Sequence, residues 1–176
     1  MIGRLLWVAR CCRPDILFAT CLLARYTSCY SNAHITAIKR IYRYLNSTEK
    51  QGLTFDGNME WNITAYSDAD YASQFDCKSI SGSLTTLGGA SIMFQSKKQS
   101  AVSISTMEAE TYGAANTVQD VLWLDQFLDV MNVSAIGIPH IMIDNQALIM
   151  HLDNPTHLSR AKHIDIRYHF VRDYYK

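Results

Sequence analysis

Three stretches of this sequence end on carboxylates placed where a metal ion could be held. A strand-like alternation runs into Tyr66-Ser67-Asp68-Ala69-Asp70-Tyr71-Ala72 and stops at Asp68. Glu108 lies in Ser105-Thr106-Met107-Glu108-Ala109-Glu110, at the head of a long helix-patterned run. Asp144 follows the apolar Ile141-Met142-Ile143 and precedes Asn145. Hard divalent cations such as magnesium take oxygen ligands, chiefly carboxylates together with substrate phosphate oxygens. Two such ions about 3.5–4 Å apart activate an attacking water and stabilise the leaving oxygen of a phosphodiester. Acids on two strand ends and one helix start could build that site. Each also has an ordinary alternative. Surface acids are common, and Ser105 with Glu108 has capping-box spacing, in which the glutamate satisfies backbone donors at the helix start.

Holding such acids requires a sheet and at least one helix. Residues 63–67 form a strand candidate that runs into Asp68. Residues 79–87 and 90–95 flank Gly88-Gly89, which reads as a hairpin, so three neighbouring strands are expected to be antiparallel. Lys97-Lys98-Gln99 reads as a small basic loop after them. The helix predicted over 105–131 puts Glu108, Tyr112, Ala115 and Leu122 along one flank of its apolar face. Residues 138–143 are almost wholly apolar, as expected of a strand in a sheet covered on both faces. Asp144-Asn145 ends that strand and can cap a helix over 146–152. Ligand sites in open α/β sheets gather beyond the carboxyl ends of strands, where Asp68 and Asp144 both fall. Asn154-Pro155 ends the short helix, and Ser159 or Arg160 opens a last one. Ile164, Tyr168, Val171 and Tyr175 form its apolar stripe, with Asp165 and His169 four apart and able to pair.

The front of the chain has a different character. Residues 2–12 read as a helix broken by Arg13-Pro14-Asp15, and a second helix follows to about 26. Ser31-Asn32 can cap a third, with Ile35, Ile38, Tyr42 and Leu45 at helical spacing. Its other face carries Lys39, Arg40 and Arg43, available to a phosphate backbone or simply solvated. Residues 52–55 are a short strand candidate, and Asp56-Gly57-Asn58 is a turn signal. Residues 1–60 hold eight Lys/Arg against four Asp/Glu, and 61–176 hold eight against twelve, so formal charges of +4 and −4 cancel. The basic front suits a nucleic-acid backbone, whereas the acidic remainder needs bound cations before it can accept one. A hydrophobic content of 48% is enough for a core and argues against disorder. Five cysteines without a CxxC pair argue against a zinc site or disulfide framework and fit a reducing compartment. The apolar start is too short and too interrupted by Arg4 and Arg10 to span a membrane, and it shows no signal-peptide cleavage site. The histidines of the last third, His140, His151, His157, His163 and His169, show no zinc spacing and read as packed or surface residues.

The acid-bearing stretches together with Lys78-Ser79-Ile80-Ser81-Gly82, Ser96-Lys97-Lys98-Gln99, Asp144-Asn145-Gln146 and Lys162-His163-Ile164-Asp165-Ile166-Arg167-Tyr168-His169 resemble the ribonuclease H region of copia-type LTR retrotransposon Pol polyproteins. Their order and spacing fit over roughly 61–176. The front resembles the final helices of the same polyprotein's reverse transcriptase, through Ile2-Gly3-Arg4-Leu5-Leu6, Arg13-Pro14-Asp15 and Lys39-Arg40-Ile41-Tyr42-Arg43-Tyr44-Leu45. The expected organisation is therefore a helical remnant of the reverse transcriptase over 1–57 and a C-terminally incomplete ribonuclease H-like domain over 58–176, expected to lack the family's last strand and helix.

The resemblance implies an α/β, ribonuclease H-like mixed sheet: antiparallel strands 1–3, one parallel strand, and helices on both faces. It also implies two-metal hydrolysis of the RNA strand of an RNA–DNA hybrid, with two Mg2+ ions (Mn2+ substituting) held by four carboxylates. Carried over by position, the first three are Asp68, Glu108 and Asp144, while Asp70 and Glu110 read as solvent-facing. The polymerase palm is absent from these residues, so no DNA synthesis is expected of this chain. The family continues beyond the segment resembling 162–175 into one more strand and helix, and that helix usually supplies the fourth acid. Asp165 sits on the preceding helix and is not expected to replace it. The implied partners are the hybrid and the rest of a retrotransposon polyprotein, with no membrane. Family habit places such a chain in cytoplasmic virus-like particles or the nucleus. Two rival expectations stand beside the nuclease: an inactive remnant, and a non-catalytic nucleic-acid-binding or interaction module seated on the basic helices.

Overall fold

Apolar residues at helical spacing shape the first third of the chain into helices. The computed structural model describes residues 1–57, 60–133, 135, 137–153 and 162–174, with side chains from 166 onward in the last segment. The chain divides into two compact units, Met1–Phe55 and Asp56–Lys176. The first contains α1 (Ile2–Cys11), a 3-10 turn at Pro14–Ile16, α2 (Leu17–Ala24) and α3 (Asn32–Ser47). Leu5, Ala9, Ile16, Leu17 and Ile41 are its buried apolar residues. Ser31 caps α3, and the His34 ring accepts its backbone N–H at 2.9 Å. Arg13 does more than end α1. Its buried guanidinium makes a two-pronged ion pair with Asp15 (3.0 and 2.7 Å) and donates to the Thr48 carbonyl at 3.0 Å. It thereby ties the 3-10 turn to the end of α3. The short strand expected over 52–55 is not formed, and those residues run as irregular chain.

The second unit is built on a four-stranded sheet. Its elements are β1 (Ile63–Asp70), β2 (Ile80–Leu87), β3 (Ala90–Lys98), α4 (Thr106–Val130), β4 (His140–Ile143), α5 (Gln146–Asp153) and α6 (Lys162–Asp173). The strand order is β3-β2-β1-β4. β1 and β2 pair antiparallel from Ile63↔Leu87 to Asp70↔Ile80, and β2 pairs antiparallel with β3. Gly88 and Gly89, at φ +56° and +77°, make the two-residue turn between β2 and β3, where two positive φ values match the sheet twist. β4 joins β1 in parallel, from Thr64↔His140 to Ser67↔Ile143. Three antiparallel strands, one parallel strand and flanking helices form the α/β architecture expected of a ribonuclease H-like domain.

Alternation in β1 decides which face is packed. Ile63, Ala65, Ser67 and Ala69 are buried, while Tyr66, Asp68 and Asp70 are exposed. Ile63 and Ala65 pack against Val121, Leu124 and Leu128 of α4. Farther toward the start of α4, Ala114, Ala115 and Val118 join Leu148, Leu152, Tyr168 and Val171 in a second cluster. The expectation of a sheet covered on both faces fails among the described residues. β4 is a four-residue edge strand with His140 and Met142 exposed, and Met142 lies opposite the exposed Tyr66. Its Ile141 and Ile143 pack against the core clusters formed with α4, so its burial is one-sided. Lys97 and Lys98, read as a loop, instead complete β3, and Lys98 pairs with Asp76 at 2.7 Å. Among the described residues no helix is long and apolar enough to cross a membrane. Several expectations lie outside the described residues: the turn at Asn58, the ends at Asn154-Pro155 and Ser159 or Arg160, the stripe positions Ile164 and Tyr175, and the Asp165–His169 pair.

Candidate metal centre

Strand register brings the first two acids together. The parallel pairing of β1 with β4 ends at Ser67↔Ile143, so the next residue on each strand is an aspartate, Asp68 and Asp144. Neighbouring strands run roughly 4.8 Å apart, which leaves the two carboxylates side by side on the solvent edge of the sheet. The third acid comes from the second turn of α4. Glu110 offers a carboxylate oxygen that lies, with those of Asp68 and Asp144, in a group whose members are all within 4.8 Å of one another. α4 can come this close because Gly113 faces β1. A Cβ there would meet Ser67 Oγ at 3.1 Å and the Asp68 carbonyl at 3.4 Å.

The three acids sit in unequal surroundings. Asp68 and Asp144 are exposed, whereas Glu110 is only 6% exposed. Its Oε2 is buried without a hydrogen-bond partner among the described residues. Burial raises the Glu110 pKa from 4.5 to about 7, reinforced by the negative charges of Asp68 and Asp144 and opposed by a hydrogen bond from the Ala69 backbone. At neutral pH this carboxyl is therefore poised between a proton and any cation that enters the cluster.

Here the structure corrects the sequence reading. Glu110, expected to face solvent, is buried beside the two aspartates, and Glu108 is not a member of the group. The Glu108 Oε2 accepts the Ile104 backbone N–H at 2.7 Å, while its own N–H donates to Ser105 Oγ at 3.1 Å. That is the capping role. Two residues along a helix turn through about 200°, so one of these glutamates can face the sheet and the other cannot. A signal for the right one was present. Glu110 shares its helix face with Gly113, Ala114 and Thr117, small residues that mark where a helix lies close against a sheet, and all four are buried. Asp70 is exposed and outside the cluster. Asp165 belongs to α6, and its side chain is outside the described residues.

Three carboxylates this close repel one another unless a proton or a cation lies among them. An all-oxygen donor set with two open, solvent-facing members and one buried, unpartnered oxygen fits a hard divalent ion such as Mg2+ or Mn2+ better than a soft metal. In chemical terms the cluster is a candidate cation site with two solvent-facing members and one buried one.

Comparison with known proteins gives the chain its relatives. It is 36% identical over 173 residues to the retrovirus-related Pol polyprotein from transposon TNT 1-94 of Nicotiana tabacum, covering 98% of this chain and 13% of that protein. It is also 36% identical over 162 residues to the corresponding polyprotein from transposon RE1 of Arabidopsis thaliana, covering 92% and 11%. The secreted RxLR effector protein 161 of Plasmopara viticola is 34% identical over 124 residues, 70% of this chain and 87% of that one. No family model matches the chain, and no solved structure matches it. The chain thus spans only 11–13% of the length of the curated polyproteins it matches. Over 92–98% of its length it is similar to one region of the retrovirus-related Pol polyproteins of transposons, which supports a retroelement-derived, copia-type Pol region.

Proposed function

We propose that the second unit is a ribonuclease H that hydrolyses the RNA strand of an RNA–DNA hybrid, with divalent cations held by Asp68, Glu110 and Asp144. The observation that carries this reading is the buried, unpartnered Glu110 oxygen grouped with the oxygens of two exposed aspartates. A surface acid pair alone has many explanations. A buried carboxyl aimed at that pair calls for a positive partner. The choice of hybrid as substrate rests on the resemblance of the motif set to the ribonuclease H region of transposon polyproteins.

Each side chain has a distinct part. Asp68 and Asp144 stand at the solvent edge, where a phosphodiester can approach them. Glu110 closes the site from the helix side and releases its proton as a cation enters, which couples ion affinity to pH. When bound, the divalent ions polarise the phosphate and lower the pKa of an attacking water. The open sheet face beside Tyr66 and Met142 leaves room for a duplex to lie across the strand ends.

The test is cleavage of a hybrid labelled on its RNA strand, with Mg2+ or Mn2+ present. The parent chain is expected to cut the RNA strand, and Asp68→Asn and Asp144→Asn are each expected to lose at least about a hundredfold in rate. Cleavage that survives both substitutions, or proceeds equally in EDTA, would refute the proposal.

A further inference from the structure

We infer that Gln99 is a positioning residue for the acid cluster, fixing the first turns of α4 so that Glu110 meets Asp68 and Asp144. The inference rests on reading that cluster as a divalent-cation site. Gln99 follows β3 directly and is 6% exposed. Its backbone N–H donates to the Ser79 carbonyl at 2.9 Å, which pins it beside the start of β2. Its side-chain Nε2 donates to Ser81 Oγ at 2.8 Å and to the Ala109 carbonyl at 2.9 Å, and its Oε1 accepts from Ser103 Oγ at 3.0 Å. The orientation of the amide is fixed, because a carbonyl can only accept and Nε2 must therefore face Ala109.

One buried side chain thus joins the sheet, the connection between β3 and α4, and the peptide just before Glu110. A helix carbonyl accepts from the residue four positions on, so Ala109 has no need of Gln99 to be satisfied. Burying an amide is also costly unless all its hydrogen bonds are made. An apolar side chain of the same size would fill the space without that demand. What the amide adds is direction. Ala109 is held by Gln99, and one turn later Gly113 is held close against Ser67 and Asp68. Glu110 lies between these two anchors.

The leverage is large. A glutamate carboxylate lies roughly 6 Å from its helix axis, so a rotation of about 15° displaces it by about 1.5 Å. Displacements of about 1 Å are enough to disable a site that relies on preorganised ligands. Ser103 and Ser81 extend the same network and hold the amide in plane.

The experiment is calorimetric titration of the full chain with Mn2+, with the folded fraction checked by circular dichroism. Gln99→Met keeps the volume and removes the hydrogen bonds, and it is expected to weaken Mn2+ binding about tenfold or more. Ser103→Ala, which frees only Oε1, is expected to move affinity in the same direction by a smaller factor and serves if Gln99→Met does not fold. Tyr168→Phe removes a 2.6 Å bond to the His151 carbonyl, away from the cluster, and is expected to leave Mn2+ affinity unchanged. Asp144→Asn separates the two claims, since its loss of binding supports the cation site whatever Gln99 does. Folded Gln99→Met or Ser103→Ala chains that bind Mn2+ like the parent overturn the positioning role. A parent chain that binds no Mn2+ overturns the cation site and this inference with it.

Discussion

Glu110 carries a proton affinity that differs between the folded and unfolded chain, and the sign of its effect follows directly. Its pKa is about 7 when folded and 4.5 in the ordinary state, so the folded chain holds more protons between those values. Stability contributed by this residue is therefore full below about pH 4.5, falls as pH rises, and levels off above about 7. The loss should be on the order of 3 kcal/mol at most in metal-free protein. Chemical denaturation across this range is expected to show the slope in the parent and a flatter profile in Glu110→Gln. Mg2+ should reverse the trend, raising Tm more at pH 8 than at pH 6, because the cation replaces the proton. A Tm increment independent of pH would show that Glu110 takes no part in binding. Two of the three acids were legible in the sequence because each follows a strand-patterned run, although β1 continues past Asp68 to Asp70. The third was not, because two glutamates lie two positions apart on one helix. The family resemblance carried over by position selects Glu108, whereas its capping-box spacing with Ser105 is the ordinary alternative, and Glu108 makes capping contacts at the start of α4.

Among the elements, α4 sets the geometry and β4 completes it. Gly113 has no room for a branched side chain, since even a Cβ would press on Ser67 Oγ at 3.1 Å. Gly113→Val is expected to cost about 2–3 kcal/mol by overpacking and to lower divalent affinity as α4 moves off the sheet; denaturation and titration read the two effects separately. At the other strand end, Asn145 caps α5 by accepting the Leu148 N–H at 2.9 Å. Asn145→Ala should cost about 1 kcal/mol and show as a lower denaturation midpoint. The hairpin at Gly88-Gly89 and the long helix were readable from sequence because turn chemistry and helical period are local properties. The absence of a strand over 52–55, the extension of β3 through Lys98 and the one-sided burial of β4 were not. Each depends on which neighbour lies alongside, and composition does not carry that information.

At the scale of the molecule, all three acids and every group that positions them belong to the unit Asp56–Lys176. Residues 56–176 hold eight Lys/Arg against fourteen Asp/Glu, a formal charge of −6. A polyanion approaching such a unit is repelled unless cations intervene. Hybrid binding by the full chain, followed by fluorescence anisotropy, is therefore expected to be weak in EDTA and to strengthen at least about tenfold with Ca2+, which occupies oxygen sites like those of Mg2+. Equal affinity in both conditions would place the duplex away from the acids. The central claim, that Glu110 rather than Glu108 joins Asp68 and Asp144 at a working nuclease site, is tested most directly by hybrid cleavage in Mg2+ with the paired variants Glu108→Gln and Glu110→Gln, both confirmed as folded. The prediction is that Glu108→Gln retains most of the parent rate while Glu110→Gln loses at least about a hundredfold. Parent-like cleavage by Glu110→Gln, or loss confined to Glu108→Gln, would contradict it.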